Sequence, residues 1–373
     1  MTNMNYRISH ISSAHPRYDV RIFHKEVCSL AKKEGIFLIV ADGLGDENIN
    51  NISIQDVGKF GSRFKRMFFS IFLILFKVLK SGAKVVHFHD PELLLITIPL
   101  KFLGKIVVYD VHENVHMQIL SKTYIHRYLR YFLSRSLYYF ENIMCTQINL
   151  ILCATPSIAS RFHYFKKKVF VLNNYPLSNE LYGEMVSKES NNEIAYIGAI
   201  SEERGIFELI SAINILNGKV KLNLAGNFSD DNLFNLVSKL DGWKYVKYYG
   251  QVSRIEVKSI LSRSSGGIVN FLPAPNHMEA QPNKMFEYMS AGLPLLCSNF
   301  PLWNQIISTH NCGISFDPTD PISMAESINK LFQDIEHCKL LGVNGRKAVN
   351  EFYNWDIEEQ KLFHVYDVLK ISA

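Results

Sequence analysis

Several features that define other protein classes are missing from this 373-residue chain. Its six cysteines (Cys28, Cys145, Cys153, Cys297, Cys312 and Cys338) are scattered and form no CxxC pair. That excludes a disulfide or zinc-ribbon framework and suits reduced thiols in a cytosolic protein. The opening residues MTNMNYRISHIS lack the charged-then-apolar design of a secretion signal and read as the approach to a strand. No apolar run reaches the ~20 residues that a bilayer span needs. The longest, MFFSIFLILF at 67–76, is about half of that. No GxGxxG, Walker, RNP, zinc-finger or helix-turn-helix pattern occurs, so dinucleotide, P-loop and nucleic-acid readings gain no support. Disorder is excluded too, since 47% of the residues are hydrophobic and 20% charged.

What is present is a long alternation of strand and helix patterns. In the first half, strands are expected at YRISHIS, FLIVA, ISIQDVG, KVVHFH, KIVVYDV, NLILCAT and VFVLNN. In the second they are expected at EIAYIGA, KVKLNLAG, YVKYYGQ, GGIVNFL, LPLLCSN and CGISFDP. Near-continuous apolar strands separated by helices imply parallel sheets covered on both faces. The polar, turn-rich stretch at 174–193 separates the two series. The reading is therefore α/β, with two Rossmann-like doubly wound domains facing a cleft. Residues 1–176 form the first, 177–192 a linker and 193–356 the second. In such sheets, ligands collect at the carboxyl ends of the strands.

Charge is unevenly shared. Residues 1–172 hold 23 Lys and Arg against 12 Asp and Glu, whereas residues 173–373 hold 17 against 23. A basic first half suits an anionic partner such as an acidic lipid surface or a lipid diphosphate. Residues 67–76 lie between RFKR and KVLK, which leaves two readings: a core helix, or a helix that touches a membrane. KTYIHRYLRYFLSR at 122–135 interleaves cations with Tyr and Phe in the manner of an interfacial helix.

The loops after strands carry the chemistry. After the first strand, Asp19 is a fair N-cap for a helix bearing Arg21 and Lys25 on one face. That face is either solvated or a site for an acceptor phosphate. His89, Asp90 and Glu92 follow one buried strand, and His112 and Glu113 another. His112 to His116 also spells H-E-x-x-H, with Glu141 as a conceivable third zinc ligand. That motif needs both histidines on one helix, and here the first follows directly from a β-run. In the second half, EIAYIGA leads into Ser201-Glu202-Glu203-Arg204-Gly205, where an Arg could hold a diphosphate. The stretch NHMEAQPNKMFEYMSAGLP then starts a helix at Pro282 or Asn283 and ends it at Gly292. Lys284 and Glu287 fall on one face and Phe286 and Met289 on the other, with Glu279 on the loop before. A helix N-terminus, a cation and two carboxylates suit a ligand with hydroxyls flanking a diphosphate, which is a nucleotide sugar.

The stretch HMEAQPNKMFEYMSAGLP resembles the E-x7-E signature of glycosyltransferase family four, retaining enzymes of the GT-B fold, in the form common in bacterial surface-polysaccharide and O-antigen synthesis. AHPRYDVRIFHKE, HFHDPELLL, VYDVHE, YIGAISEERG and NWDIEEQKLFHVY resemble further landmarks of that family, in order, over nearly the whole chain. The resemblance implies that Glu287 binds the nucleotide ribose and Glu279 the sugar hydroxyls. It implies that Arg204 and Lys284 neutralise the diphosphate, with Gly198 and Asn283 beside them, and that His112 sits near the donor sugar. His15, Arg21, Lys25, His89 and Asp90 would receive the acceptor, and helix 357–373 would cross back onto the first domain. No metal or cofactor is implied beyond a UDP- or GDP-linked sugar. One departure is Ala199, where many members have Arg; neutralisation then rests on Arg204 and Lys284.

The expected activity is thus a retaining hexosyl- or N-acetylhexosaminyltransferase acting on a lipid-linked (polyprenyl diphosphate) glycan. It would work at the cytosolic face of the inner membrane, peripherally attached, with no nucleic-acid partner. The rivals are a GT-B sugar-nucleotide epimerase, a phosphorylase (for which no pyridoxal-phosphate lysine site is evident), a non-catalytic sugar-binding subunit and, remotely, a zinc hydrolase.

Overall fold

The computed structural model describes residues 8–62, 65–122, 125–178, 180–181 and 192–371. The chain divides into two α/β units: residues 1–174 with 356–373, and residues 175–355. Most of the linker expected at 177–192 lies outside the described residues.

In the first unit the strands are β1 (Ile8–Ile11), β2 (Ile36–Val40), β3 (Glu47–Ile49), β4 (Ile52–Asp56), β5 (Val85–Phe88), β6 (Ile106–Val111), β7 (Leu150–Cys153) and β8 (Val169–Val171). They lie in the order β3-β4-β2-β1-β5-β6-β7-β8. Every pairing is parallel except β3 with β4. That edge hairpin was not expected from the sequence; Asn50-Asn51 closes it as a two-residue turn with Asn50 at φ +49°. β1, β5, β6 and β7 are buried at every position, which is why they read as apolar runs without alternation. Each Leu, Ile or Val buried there contributes about 1.5–3 kcal/mol. The exceptions to apolarity are Ser9, His10, His87 and Asp110, all within buried strands.

The second unit holds β9 (Glu193–Ile197), β10 (Lys221–Ala225), β11 (Val246–Gly250), β12 (Gly266–Val269), β13 (Leu295–Ser298) and β14 (Gly313–Phe316). The order is β11-β10-β9-β12-β13-β14, and all pairings are parallel.

Five helices matter for the site. α1 is Val20–Val27 running on into Cys28–Ala31, and α2 is Arg66–Ser70 running on into Ile71–Ser81. α3 is Arg127–Cys145, α4 is Asn283–Ser290 and α5 is Trp355–Ile371. α5 leaves the second unit at Trp355 and packs into the first, as the sequence implied. There Glu358 accepts from the Asn173 amide at 2.9 Å, and Lys32 pairs with Glu359 at 2.6 Å. α2 is a core helix on one side, where Ile71, Ile74 and Val78 enter the core, while Phe68, Phe69, Phe72 and Phe76 stay exposed on the other. Among the described residues, no helix is long and apolar enough to cross a membrane.

In each sheet the strand order reverses once, between β1 and β5 and between β9 and β12. Loops leaving such a pair of strands diverge and open a crevice at their carboxyl ends. The residues singled out from the sequence collect at these two places.

Candidate functional site

In the second unit, β9 ends at Ile197 and the chain turns at Gly198 with φ +117°, a conformation reserved for glycine. A one-turn helix, Glu202–Arg204, follows and closes on Gly205 at φ +62°. Asn270, just after β12, donates to the Gly205 carbonyl at 2.7 Å, and a Cβ at Gly205 would stand 2.2 Å from its side chain. The loops after β9 and β12 are thereby locked to one another. Arg204 donates to the Ala199 carbonyl at 2.9 Å, and its guanidinium lies 5.3 Å from the Phe271 ring centre. Ala199, in place of the family's Arg, so helps to aim the Arg that remains.

α4 begins as expected: Pro282 is its N-cap, Asn283 its first residue, and Gly292 follows its last turn at φ +72°. Met285, Phe286, Tyr288 and Met289 fix its apolar face, and Tyr288 Oη accepts from the Ile197 amide at 2.8 Å. Lys284, on the first turn, is only 8% exposed. Its Nζ lies 3.9 Å from the Tyr196 ring centre and makes no hydrogen bond among the described residues. Both Lys284 and Arg204 lie within about 4 Å of the point where a Gly198 Cβ would project. Burial, and then the nearby Arg204 charge, push the Lys284 ammonium well below its usual value. A buried amine with no hydrogen bond among the described residues, next to the Arg204 cation and a helix N-terminus, has the chemistry to receive an anion. Gly198, Arg204, Asn283 and Lys284 are brought together.

Glu287, one turn further along α4, accepts from Arg254 Nη1 at 2.8 Å, and Arg254 is held in turn by Glu180 at 2.7 and 3.0 Å. Neither Arg254 nor Glu180 was found from the sequence. A signal for Arg254 existed. Ser253 and Glu256 form a capping box, so Arg254 is the first residue of a helix, where a cation opposes the helix dipole unless an acid elsewhere claims it. Glu279 is exposed, immediately after the short helix Pro275–Met278.

The first unit corrects most of the expected acceptor set. Asp19 caps α1 as expected, accepting from the Arg21 and Ile22 amides. The face carrying Arg21 and Lys25, however, is neither solvated nor open to a ligand. Arg21 grips both oxygens of Asp110 at 2.7 and 2.9 Å and donates to the Leu172 carbonyl at 2.9 Å. Lys25 donates to the side chain and carbonyl of Asn174 at 2.6 and 3.2 Å. The i, i+4 spacing gave the shared face correctly, but the partners lie far along the chain and turn it inward. His89 and Asp90 are likewise buried. Asp90 accepts from Ser12 Oγ at 2.8 Å and from the Ser13 and Ala14 amides at 2.7 and 3.3 Å, shaping the loop after β1. His15, 31% exposed, pairs with Asp90 at 3.0 Å and is the one member of the set still presented to solvent.

His112 stands at the end of β6 with its Nε2 2.6 Å from Asp110 Oδ2. The helix bearing His116 starts only at Val115, so H-E-x-x-H does not lie on one helix. Glu141 is occupied by Tyr109 and Arg161. The geometry a metalloprotease motif requires is absent at these residues.

Residues 180–348 match the family model described as glycosyl transferases group 1. The match covers nearly all of the second unit. The capsular polysaccharide biosynthesis glycosyltransferase CapM of Staphylococcus aureus is 26% identical over 202 residues, 53% of this chain and 51% of that protein. The chain spans about half the length of the curated relatives it matches, from 45% to 63% of each. Among solved structures, the sucrose-phosphate synthase of Thermosynechococcus elongatus superposes with a TM-score of 0.76 at 14% identity, covering 99% of this chain and 100% of that one. The HepE protein of Anabaena in complex with UDP-glucose gives 0.75 at 13% identity, over 97% and 99%. The GT-B fold expected from the sequence is the fold of this chain.

Proposed function

We propose that the protein is a glycosyltransferase of surface-polysaccharide synthesis. It moves a sugar, with retention, from a nucleoside-diphosphate donor to a glycan carried on a polyprenyl diphosphate. The observation that carries this reading is Lys284: a buried ammonium without a partner, beside Arg204 and Gly198 at the start of α4. The group 1 match, the CapM relative and a neighbour holding UDP-glucose support the same donor class.

In this reading the donor diphosphate lies over Gly198 and the N-terminus of α4, neutralised by Lys284 and Arg204. Glu287 receives the ribose hydroxyls through the oxygen that Arg254 leaves available, and Glu279 the sugar hydroxyls. As the bond from the sugar's anomeric carbon to the phosphate oxygen breaks, negative charge grows on the leaving diphosphate where these cations are already placed. The acceptor oxygen bonds to the anomeric carbon from the same face, and its proton passes to the leaving phosphate. No enzyme nucleophile and no metal enter the scheme.

The acceptor's lipid character is supported by a second observation. α2 and α3 present Phe69, Phe72, Phe76, Tyr128, Tyr131 and Phe132 to solvent, in a basic half of the chain. Such a face suits the headgroup region of an anionic bilayer, which would hold the protein peripherally at the cytosolic side.

The test is a panel of UDP- and GDP-sugars followed by thermal shift and by transfer to polyprenyl-diphosphate glycans. At least one sugar nucleotide should raise the melting temperature of the wild type and not of Lys284→Met. Glu287→Ala should fold and lose transfer; turnover at the wild-type rate would remove the donor assignment. Protein bound to anionic vesicles should be released by salt, and release that ignores salt would remove the membrane role.

A further inference from the structure

Beneath His112 lies a run of buried polar groups contributed by five elements: Glu26 and Arg21 on α1, His10 on β1, His87 and His89 on or beside β5, Asp110 on β6, and Tyr366 on α5. Burying so many titratable groups is costly unless each proton has a defined place. Here the protons can be placed one by one.

Asp110 is ionised: burial alone would raise it, but the Arg21 charge and His112 hold it well below the usual carboxylate range. A carboxylate only accepts, so its Oδ2 receives N–H from His112 Nε2 at 2.6 Å and from His89 Nδ1 at 3.2 Å. Burial pushes His89 down to about 4, so it is neutral and its Nε2 is bare. That atom is 3.0 Å from His10 Nδ1, which must donate to it. His10, also neutral through burial, then has a bare Nε2 facing the Tyr366 hydroxyl at 3.4 Å. The Tyr366 oxygen accepts from His87 Nδ1 at 2.7 Å. His87 Nε2 makes no hydrogen bond among the described residues, since Glu26 Oε2 stands 3.7 Å away, and the row begins at this ring. Burial, and then the Asp110 charge, raise the Glu26 carboxyl well above its usual value, against the pull of Arg21 at 3.0 Å. His10 and His89 each donate once and accept once, in a single direction, and the row ends at the Asp110 carboxylate, which cannot reverse it.

We propose that Asp110 and the chain behind it, namely His89, His10, Tyr366 and His87, are positioning residues that fix the His112 proton on Nε2 and leave Nδ1 a bare acceptor. Nδ1 makes no hydrogen bond among the described residues, and the ring is 16% exposed. Resting on the function proposed above, that nitrogen is the atom offered to a hydroxyl of the reacting sugars. The same histidines also bring ligand atoms within 4.8 Å of one another, with Glu26 or with Asp110, as a metal site would. In the Glu26 cluster, however, His10 and His89 already spend both ring nitrogens on hydrogen bonds, which leaves His87 Nε2 and the Glu26 carboxylate, too few for a structural metal. In the Asp110 cluster, a metal would have to displace the 2.6 Å bond from His112.

The test is nitrogen NMR of the histidine rings in the ligand-free full chain, with His112 assigned from its loss in His112→Gln. The wild type should show His112 with its proton on Nε2 and His10 and His89 with theirs on Nδ1. Tyr366→Phe removes one hydroxyl; it should disturb the His10 and His87 ring signals, with the fold retained. Asp110→Asn should move the His112 proton to Nδ1 and lower transfer on the order of a hundredfold or more. A wild-type His112 protonated on Nδ1, ring signals unchanged by Tyr366→Phe, or stoichiometric metal in the purified protein would overturn the proposal. If the tautomers are as described but His112→Gln transfers at the wild-type rate, the chain stands and the role of His112 in transfer falls.

Discussion

The two units bury cations in opposite ways. In the first, Arg21 and Lys25 are 3% and 2% exposed, and acids, carbonyls and an amide oxygen of the same unit meet them. In the second, Lys284 is nearly as deeply buried and, among the described residues, makes no hydrogen bond and meets the faces of Tyr196 and Phe271. A paired buried cation is part of the scaffold, and removing it strands the partner. An unpaired one weakens the folded state and is explained by something that arrives later. The contrast separates cations built into the scaffold from a lysine that its unit leaves without a hydrogen bond among the described residues, although all three are basic residues on helices next to strand ends.

The largest expected effect tests that separation on stability. Arg21→Met leaves Asp110 buried without its main counter-charge and should cost about 3–5 kcal/mol in urea unfolding. Lys284→Met keeps the volume and removes an unpaired charge, so it should be neutral or stabilising. Equal losses in the two variants would erase the distinction.

On transfer the order reverses. Lys284→Met should lower kcat/KM by about 10²–10³, the scale of losing one preorganised donor to a developing anion. Single-turnover kinetics at saturating donor would place the loss in the chemical step. A change confined to KM would mean that Lys284 holds ground state and transition state alike.

The same lysine sets a pH dependence. Its folded value lies below the ordinary 10.5, so the unfolded chain binds more protons across that interval, and the ligand-free protein gains stability as pH rises through it. A bound diphosphate favours the charged form, so binding should take up a proton and weaken as pH rises. Calorimetry in two buffers of different ionisation heat reads that uptake directly, and Lys284→Met should abolish it. Uptake unchanged in the variant would assign the proton elsewhere.

How much of this was legible in the sequence follows the same division. β1, β5, β6, β9, β10, β12 and β13 announced themselves because burial on both faces leaves an apolar run, and α4 because Pro282 and Gly292 bracket it. Lys284 and Arg204 were legible because their meeting depends on two adjacent loops at one strand reversal. Arg21 and Lys25 were misplaced because their partners, Asp110, Leu172 and Asn174, lie 89, 151 and 149 residues away. The hairpin β3–β4 was missed because three residues are too few to establish a period. Helix periodicity says which residues share a face; only the tertiary fold says whether that face meets water or an acid.

The smallest effect concerns the one acceptor-loop residue left near solvent. Burial would lower His15, but the Asp90 hydrogen bond and charge raise it above 6.5 overall. Asp90 is lowered well below 3.8, since its bonds from His15, Ser12 and the Ser13 amide outweigh the burial that would raise it. The His15 contribution is therefore complete below pH 6.5 and fades as pH rises through the folded value, whereas the Asp90 contribution is complete above 3.8 and fades in acid. The pair is strongest in the interval between. His15 is close to a third exposed, so screening should keep its share under about 1 kcal/mol. His15→Gln should flatten the decline in unfolding free energy between pH 6 and 8 while leaving the acid limb, which belongs to Asp90, in place. If wild type and variant lose stability in parallel over that range, the loop after β1 is held by Ser12 and Ser13 alone, and His15 is left to the substrate.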